Sequence, residues 1–339
     1  MIYTRRDLGK LALAALPASR LLAKPNSKFD GVQIGINAPY SYGNNNMSAD
    51  ETLNNTVQLG LSAVELRTQP IESFCGSPVP AAPSGAVTGG RAAELAAAGG
   101  LAAAGRAARG GRAPLTPEQE AARKAAAEEM RKWRMSLSVD KFKAFRKKYE
   151  DAGVLIQVVK VDWIQNASDD EVDYCFQMAK TVGASAISCE IPLSRTKWLG
   201  AFADKHKMMV GYHGHTDITS PEAFGRPESW ETAMTYAKYN GITLDIGHFV
   251  AGNNTSPIPF MEKYHDRITH IHVKDKKMHD GPAVPFGTGD VPIKEVLQLM
   301  RKNKWKFQGA IEFEYAIPQG STRMAEIAKC VEYCKNALA

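Results

Sequence analysis

Apolar and polar residues follow two alternating patterns along this chain of 339 residues. Short, almost wholly apolar runs are each followed by a longer segment in which apolar residues recur every three or four positions. The first pattern is typical of strands buried on both faces, and the second is typical of amphipathic helices. Strands are predicted over residues 32–37, 63–66, 154–161, 186–191, 208–215, 242–248, 268–274 and 310–315.

Helices are predicted between nearly all of these strands. Ser48 is expected to cap a helix that continues to Gly60, because a serine side chain accepts a hydrogen bond from the first helical turn. Thr116 and Pro117 predict another helix start, since proline is favoured at the first helical position. Further helices are predicted over residues 138–152, 169–182, 199–207, 227–240, 257–265, 291–303 and 322–338.

The fold class follows from this alternation. Apolar strands separated by amphipathic helices predict a parallel sheet covered by helices. Eight such units favour a closed (β/α)8 barrel, the TIM barrel, over an open doubly wound sheet. No glycine fingerprint for a dinucleotide follows the first strand, which weighs against a Rossmann domain.

The barrel is expected to span residues 28–339 and to contain one insertion. Residues 76–113 change abruptly to alanine, glycine, proline and scattered arginine, and large side chains almost vanish. Such a segment buries too little apolar surface to offset the entropy lost on ordering it. It is predicted to be a flexible, low-complexity insertion in the loop after the second strand.

Residues 1–23 are predicted to be a targeting segment. Arg5 and Arg6 precede a moderately apolar stretch that is too short and too interrupted to cross a membrane. Paired arginines in this position are similar to a twin-arginine export signal, with cleavage near Ala23. The alternative is an ordinary amphipathic helix. Export by this route predicts a periplasmic or extracytoplasmic location, with no membrane partner.

The positive charge of the chain is unevenly distributed. The net charge is +6, and residues 1–23 and 76–113 carry +3 each, so the rest of the chain is neutral. A neutral body has no broad basic surface for nucleic acid, which argues against a nuclease but leaves a local basic groove open. The five cysteines, an odd number without CxxC spacing, do not predict a disulfide framework.

Polar side chains suited to metal binding or proton transfer occur at six of the predicted strand ends. Active sites of TIM barrels form at the C-terminal ends of the strands, so these side chains are expected to meet at one rim. Carboxylate oxygens and imidazole nitrogens there suit a divalent metal. A lone histidine or glutamate is more often packed or solvated, but six neighbouring strand ends argue against chance. The candidates are Lys160, Glu190, His213, His215, Asp245, His248, His272, Lys274, Glu312 and Glu314.

Together these motifs resemble the xylose-isomerase-like TIM barrels, which include sugar and sugar-phosphate isomerases and epimerases, inosose dehydratases and endonuclease IV. The resemblance covers residues 32–338 apart from the insertion. It rests on LDIGH at 244–248, HIHVKD at 270–275, FGTGD at 286–290 and GAIEFEY at 309–315, and YHGH at 212–215 is similar to the YHNH or YHHH of one branch. These motifs indicate the superfamily rather than the substrate.

The resemblance implies roles for individual residues. Asp245 and His272 fall on two metal-ligand positions, and Glu314 falls on the glutamate of the last strand, with Glu312 deeper on the same face. His248 falls where the family places a histidine that contacts the substrate. Of the histidines on the seventh strand, His270 keeps only a supporting or buried role.

One ligand position departs from the family pattern. Many of these epimerases have a glutamate on the fifth strand that both binds the metal and transfers protons, and here His213 takes its place. Glu190, one strand earlier, would restore a carboxylate to the metal. The preferred ligand set is therefore Glu190, Asp245, His272 and Glu314, with His213 as a ligand or a neighbour.

The implied chemistry is the removal of a proton beside a carbonyl. The metal would polarise the carbonyl of a keto-sugar and stabilise the enediolate that forms. A histidine paired with a glutamate suits the proton transfer. The predicted catalytic residues are Glu190, His213, Glu314 and Lys274, and the predicted substrate contacts are His215, His248, Lys160 and Glu312.

The two lysines have an electrostatic role in this scheme. Lys274 or Lys160 would stabilise the negative oxygen of the enediolate. The alternative for each lysine is a structural ion pair, with Asp275 or Asp162 respectively.

The sequence thus predicts an isomerase or epimerase that depends on manganese, zinc, cobalt or magnesium and acts on a small sugar or keto-sugar. A lyase or dehydratase acting on a 3-keto-glycoside or an inosose-like substrate stays open, because β-elimination starts from the same enediolate. An endonuclease IV-like phosphodiesterase is opposed by the neutral body and the export signal. A non-catalytic sugar-binding protein is a further alternative. A homo-oligomer is compatible with the sequence.

Overall fold

The protein is described here by a computed structural model, which covers residues 24–78 and 116–339. Its centre is a sheet of eight parallel strands, β2 to β9, in which each strand pairs with the next along the chain. A two-residue strand, β1, pairs antiparallel with the start of β2. The strands are β1 (Lys28–Phe29), β2 (Val32–Ala38), β3 (Ala63–Arg67), β4 (Leu155–Lys160), β5 (Ala186–Cys189), β6 (Met209–His213), β7 (Asn240–Asp245), β8 (Ile268–Val273) and β9 (Gly309–Ile311).

The sheet closes on itself because its first and last parallel strands also pair. Ile34 of β2 lies opposite Gly309 of β9, and Ile36 lies opposite both Val64 of β3 and Ile311 of β9. Eight parallel strands closed in this way and surrounded by helices form a TIM barrel. The predicted (β/α)8 barrel is confirmed.

Helices surround the barrel and occupy the segments between its strands. Within the described part of the chain, none of them is long and apolar enough to span a membrane. The helices are α1 (Ala49–Gln58), α2 (Thr68–Phe74), α3 (Pro117–Met135), α4 (Val139–Asp151), α5 (Asp169–Thr181), α6 (Thr196–His206), α7 (Pro227–Tyr236), α8 (Ile246–Asn253), α9 (Ile258–Tyr264), α10 (Ile293–Asn303) and α11 (Arg323–Ala337).

The predicted helix starts at Ser48 and Thr116 are confirmed. The hydroxyl of Ser48 accepts a hydrogen bond of 3.2 Å from the backbone N–H of Glu51. Thr116 and Gln119 form a reciprocal capping box at the start of α3, where Pro117 is the first helical residue. Each of these bonds satisfies a backbone donor that the helix itself leaves free.

Six strands end earlier than the sequence predicts, and the two largest changes affect the rim. The strand predicted over residues 242–248 ends at Asp245, whose side chain accepts a 2.7 Å hydrogen bond from the backbone N–H of His248 and so begins α8. His248 therefore lies on a helix. The last strand ends at Ile311, so Glu312 and Glu314 follow it.

The predicted insertion is preceded by a short helix, α2, where the sequence predicts a loop. Its residues from 79 onward lie outside the described part of the chain, as does the predicted targeting segment over residues 1–23. Beyond the insertion, Arg134 ties α3 to the barrel. Its guanidinium forms ion pairs of 2.7 Å with Glu72 and Glu171 and stacks 3.5 Å from the ring centre of Trp163.

The barrel strands are buried on both faces. Every residue of β3, β5, β7, β8 and β9 is buried, as expected for parallel strands covered by helices. The charged and imidazole side chains on these strands are therefore largely removed from water. Such groups are stable only when they are paired or bind an ion.

Candidate metal centre

Four donor side chains meet at the C-terminal ends of neighbouring strands. His213 ends β6, Asp245 ends β7, His272 lies near the end of β8, and Glu312 follows β9. All four are buried, and their donor atoms lie within 4.8 Å of one another. The parallel barrel aligns these strand ends at one rim, and this alignment brings together residues far apart in the sequence.

The distances within this four-donor cluster are those of a compact site. Nε2 of His213 lies 3.0 Å from Nδ1 of His272, which in turn lies 3.2 Å from Oε2 of Glu312. Oδ2 of Asp245 is 3.7 Å from both of these histidine nitrogens. Two imidazoles and two carboxylates converge on one small volume.

The donor set fits a divalent metal. Oδ2 of Asp245 and Oε2 of Glu312 are buried and receive no hydrogen bond of acceptable geometry, although an ammonium group lies close to both. Buried acceptors without hydrogen bonds are rare, and an ion that accepts their lone pairs removes the cost. Mixed nitrogen and oxygen donors suit zinc, manganese or cobalt, whereas magnesium prefers oxygen alone.

The ammonium group beside the cluster belongs to Lys274, which is almost fully buried. Its Nζ lies 3.0 Å from Asp245 Oδ2, 2.7 Å from Glu312 Oε2 and 2.7 Å from Glu314 Oε2. Burial by itself would lower the pKa of Lys274, but the three carboxylates outweigh burial and hold that pKa well above its ordinary value. Lys274 is therefore a permanent cation at the rim.

His248 lies on the other side of this ammonium group. Its Nε2 is 3.0 Å from Lys274 Nζ. Burial, together with the positive charge of Lys274, holds the pKa of His248 well below its ordinary value. The imidazole is thus neutral, and it accepts a hydrogen bond from the lysine.

A second group of side chains lies at the mouth of the site, around Glu190. Its carboxylate is 2.5 Å from Lys160 Nζ, 3.1 Å from His215 Nε2 and 3.4 Å from His213 Nδ1. Burial would raise the pKa of Glu190, but Lys160 and the two histidines hold it well below its ordinary value. The side chains of Glu190 and His215 are 44% and 51% exposed, so a ligand entering from solvent can reach them.

The structure brings together only half of the predicted ligand set. Asp245 and His272 lie in the four-donor cluster, but Glu190 lies at the mouth and Glu314 lies beside Lys274. Their places in the cluster are taken by His213 and Glu312. The physical reason is depth: the strand ends direct these two side chains inward, while Glu190 and Glu314 remain partly in contact with solvent.

Neither Lys274 nor Lys160 forms the structural ion pair, with Asp275 or Asp162 respectively, that was the alternative to a role at the site. Lys274 pairs with the three rim carboxylates, while Asp275 accepts backbone hydrogen bonds from Gly287 and Gly289. Lys160 pairs with Glu190, and Asp162 pairs instead with Arg67 at 2.5 Å.

Three residues that contact the site were missed by the sequence analysis. Glu65, fully buried on β3, lies 2.7 Å from Nε2 of His272. Asn37 donates a 2.8 Å hydrogen bond to Glu312, and Tyr40 donates one of 2.7 Å to Glu314. A charged residue inside the short apolar run Ala-Val-Glu-Leu was a signal for Glu65; no comparable signal marks Asn37 or Tyr40.

Comparison with known proteins places this chain in a family. The profile of the xylose isomerase-like TIM barrels matches residues 134–336, more than half of the chain. The chain belongs to this family. The resemblance that the sequence motifs indicate is therefore confirmed at the level of the family, while the branch that carries YHNH remains a prediction.

One curated relative is similar in sequence over part of this xylose isomerase-like barrel. The inosose dehydratase of Clostridium tetani is 29% identical over an alignment of 136 residues, and the match covers 34% of this chain and 44% of that protein. The match thus spans less than half the length of the relative. Members of the family with named activities include dehydratases, epimerases and isomerases, so an enzyme is the expectation for this chain.

Several solved structures share the fold over most of their length. L-ribulose 3-epimerase superposes with a TM-score of 0.56 at 9% identity, covering 91% of this chain and 94% of its own. The probable 3-DHS dehydratase AsbF of Bacillus anthracis gives 0.54 at 12% identity, with coverage of 89% and 98%. A xylose isomerase-like protein of Mycobacterium smegmatis in complex with magnesium gives 0.51 at 12% identity, with coverage of 91% and 96%. At these identities the likeness shows the fold alone.

Proposed function

We propose that this chain is a divalent-metal-dependent isomerase or epimerase that moves a proton on the carbon beside the carbonyl of a small sugar or keto-sugar. One observation carries the proposal: the four-donor cluster, a buried ammonium group and a histidine–carboxylate pair lie at the same rim. Proton removal beside a carbonyl requires a stabilised oxygen anion and a base held next to it. These three parts supply both requirements.

The metal is assigned to His213, Asp245, His272 and Glu312. This assignment rests on the buried donors described above, and the solved relative that binds magnesium supports a metal in this family. When bound, the metal would polarise the carbonyl and balance the negative charge that develops during proton removal. Zinc, manganese and cobalt suit the two imidazoles better than magnesium does.

The proton transfer is assigned to His215 together with Glu190. Nε2 of His215 lies 3.1 Å from the carboxylate of Glu190, and both groups are half-exposed at the mouth. Lys160, itself buried, keeps Glu190 ionised, so the carboxylate orients the imidazole and stabilises it once it has taken up a proton.

Stabilisation of the negative charge that develops on the substrate oxygen is assigned to Lys274. Its ammonium group is fixed by three carboxylates and by His248, so it needs no reorganisation during the reaction. Glu314, at 25% exposure of its side chain, faces the same part of the rim and is the carboxylate best placed to contact a hydroxyl of the sugar. Tyr40 donates a hydrogen bond to Oε1 of Glu314, the oxygen that does not face Lys274.

A dehydratase or lyase is the second candidate, and the relative from Clostridium tetani is the observation that favours it. Elimination begins with the same proton removal, and a leaving group on the next carbon then departs. The presence of His213 where many of these epimerases have a glutamate also favours it, because an epimerase with two carboxylates uses one on each face of the substrate. Here the mouth presents a histidine–carboxylate pair, His215 with Glu190.

Metal-stripped protein should be reloaded separately with zinc, manganese, cobalt or magnesium and incubated with keto-sugars, inososes and 3-keto-glycosides in deuterated water. Mass spectrometry and proton NMR then separate the outcomes. An isomer that gains deuterium beside the carbonyl supports the first candidate, and the loss of water or of a glycosidic group supports the second. Turnover that is independent of metal, or that proceeds without solvent exchange, would overturn the proposed mechanism.

Two ligand variants, one variant of the proposed proton-transfer histidine and one control sharpen this experiment. Asp245→Asn and His272→Gln are expected to abolish metal retention while the circular dichroism spectrum stays that of a folded barrel. His215→Gln is expected to retain the metal and lose deuterium exchange. Asp173→Asn, on the outer helix α5, is the control, because the ion pairs of Asp173 are with Lys205 and His206 of the neighbouring helix α6, away from the rim.

Export of the folded protein through the twin-arginine route also stays a proposal. The sequence pattern at Arg5 and Arg6 supports it. Replacing both arginines with lysine should shift the full-length chain from the periplasmic to the cytoplasmic fraction of the host cell. Equal distribution of the two forms would contradict it.

A further inference from the structure

Glu65 is fully buried on β3, and its two carboxylate oxygens have different partners. Oε2 lies 2.7 Å from Nε2 of His272. Oε1 lies 3.1 Å from Nε2 of His270 and also accepts a hydrogen bond from the hydroxyl of Ser188. Neither the fold comparison nor the motif resemblance gives this residue a role.

These contacts fix the proton positions on both histidines. An ionised carboxylate only accepts hydrogen bonds, so each imidazole nitrogen that faces it carries a proton. His272 therefore keeps a proton on Nε2, which leaves Nδ1 as the nitrogen that faces Glu312 at 3.2 Å and His213 at 3.0 Å. On His270, the other nitrogen lies 3.1 Å from the hydroxyl of Thr269.

The surroundings of Glu65 agree with an ionised carboxylate. Its two oxygens lie within hydrogen-bond distance of three groups that can donate: Nε2 of His272, Nε2 of His270 and the hydroxyl of Ser188. A carboxylate that accepts on both oxygens needs no proton of its own.

We propose that Glu65 is a positioning residue that fixes Nδ1 of His272 as the nitrogen presented to the metal. The inference rests on the proposed metal site and goes beyond it, because it specifies the coordinating atom and the residue that selects it. A metal-bound histidine is commonly oriented through its other ring nitrogen by a carboxylate, and loss of such a partner costs about 10–100-fold in metal affinity.

The substitution Glu65→Gln tests this role without removing the side chain. Glutamine has one oxygen and one NH2 group, so it accepts hydrogen bonds on one side only. Ser188 and His270 both donate to the position of Oε1, so the amide oxygen is expected to stay there and the NH2 group to face His272. The NH2 group then requires a bare Nε2 on His272, which places the ring proton on Nδ1.

Two measurements report the change. Long-range proton–nitrogen NMR spectra of the zinc-loaded wild type should show His272 protonated on Nε2 and bound to zinc through Nδ1. In Glu65→Gln the zinc dissociation constant should rise about 10–100-fold, and His272 should lose the Nε2 proton signal. The control is Glu72→Gln, another buried carboxylate, which pairs with Arg134 and not with a histidine.

A second variant separates positioning from a loss of stability. In the double variant Glu65→Gln and His270→Phe, one donor to the Oε1 position is removed and the amide is free to turn its oxygen towards His272. Zinc affinity should then recover part of the loss, although two buried residues have been changed. A merely structural role predicts that the double variant binds zinc more weakly than Glu65→Gln.

Zinc binding by the wild type and by Glu65→Gln separates a failure of the role of Glu65 from a failure of the proposed function. If the wild type binds no metal, both the proposed function and the role of Glu65 are overturned. If the wild type binds zinc and Glu65→Gln binds it equally well with the same proton position, only the role of Glu65 is overturned.

Discussion

Glu312 and Glu314 are two residues apart, yet they occupy different parts of the rim. The side chain of Glu312 is 4% exposed, and its Oε2 lies 3.2 Å from His272 in the four-donor cluster. The side chain of Glu314 is 25% exposed; it shares Lys274 with Glu312, and its other oxygen accepts a hydrogen bond from Tyr40. From these different depths we propose that Glu312 binds the metal and that Glu314 contacts the substrate.

Glu312→Gln and Glu314→Gln form a matched pair that tests this assignment. Loss of a residue that only hydrogen-bonds a metal ligand costs about 10–100-fold in metal affinity. Glu312→Gln should weaken metal binding by more than this, because it removes the charge of a ligand itself. Glu314→Gln should change metal affinity only slightly and reduce turnover. Isothermal titration calorimetry with zinc measures both affinities. The reverse order of effects would return the ligand role to Glu314.

Lys274 compensates three carboxylates that have little access to solvent. Removing one partner of a buried ion pair costs about 3–5 kcal/mol, because the remaining charge is buried without compensation. Lys274→Met should therefore strongly destabilise the metal-free protein. A bound divalent metal supplies part of the missing positive charge, so the metal-loaded variant should lose less.

Thermal unfolding with and without a chelator measures this difference. Lys160→Met is the matched control, because Lys160 is equally buried but pairs with the half-exposed Glu190 outside the cluster. Its effect on the unfolding temperature should be the same with and without metal. If metal fails to reduce the loss in Lys274→Met, the ammonium group and the metal do not share these carboxylates.

At the scale of elements, the side chain of Asp275 holds the loop that follows β8 at three points. Oδ2 of Asp275 accepts hydrogen bonds of 2.8 Å from the N–H of Gly287 and 2.9 Å from that of Gly289, and Oδ1 accepts one of 3.3 Å from Val291. The loop begins directly after Lys274 at the rim. Asp275 thus couples the position of the loop to the end of the strand that carries His272.

Gly289→Ala should displace this loop. A Cβ atom at residue 289 would lie 1.9 Å from Oδ1 of Asp275, a distance that no real contact shows, so the hydrogen bonds to the carboxylate would be lost. We expect a loss of roughly 1–3 kcal/mol in the free energy of unfolding, since a buried carboxylate loses its donors. Urea unfolding measures it. Thr288→Ala, which removes only a local bond to Pro285, should leave stability nearly unchanged.

The boundary between β7 and α8 is one that the local sequence pattern does not predict. The apolar run Thr-Leu-Asp-Ile-Gly-His continues through the end of β7, so periodicity alone extends the strand to His248. In the structure, the side chain of Asp245 accepts a hydrogen bond from the backbone N–H of His248, and α8 begins there. An aspartate at a strand end is equally suited to a ligand position and to a helix cap, and here it serves the helix with Oδ1 while Oδ2 faces the cluster.

At the scale of the whole molecule, all five cysteines are buried and none forms a disulfide. Burial raises the pKa of Cys75 to about 11 and that of Cys330 to about 12. The thiolate is the reactive form, so these residues are expected to be inert in the folded barrel.

A thiol-reactive dye such as Ellman's reagent tests this at pH 8. The native protein should release almost no dye, and all five thiols should react after denaturation in guanidinium chloride. Rapid reaction of one or more thiols in the native state would show that the barrel opens locally. The result also measures how firmly helices α5 and α11, which carry Cys175 and the pair Cys330 and Cys334, are held.

The sequence by itself determined the order of the eight barrel strands, the helix caps at Ser48 and Thr116 and most of the residues that meet at the rim. Periodicity within a dozen residues identifies an element, and eight parallel units dictate which strand ends converge. The sequence also indicated the family, through short motifs that lie mostly at strand ends. The insertion and the export signal stay predictions.

Only the tertiary structure showed which of the rim residues form the four-donor cluster. Asn37 and Glu312 are 275 residues apart in the chain, and Glu65 and His272 are 207 apart. Their contacts depend on closure of the barrel and on the depth at which each strand ends, and neither property appears in a local pattern. Periodicity places Glu312 and Glu314 on the same face, so only burial and neighbouring side chains, which depend on the tertiary structure, distinguish the two glutamates.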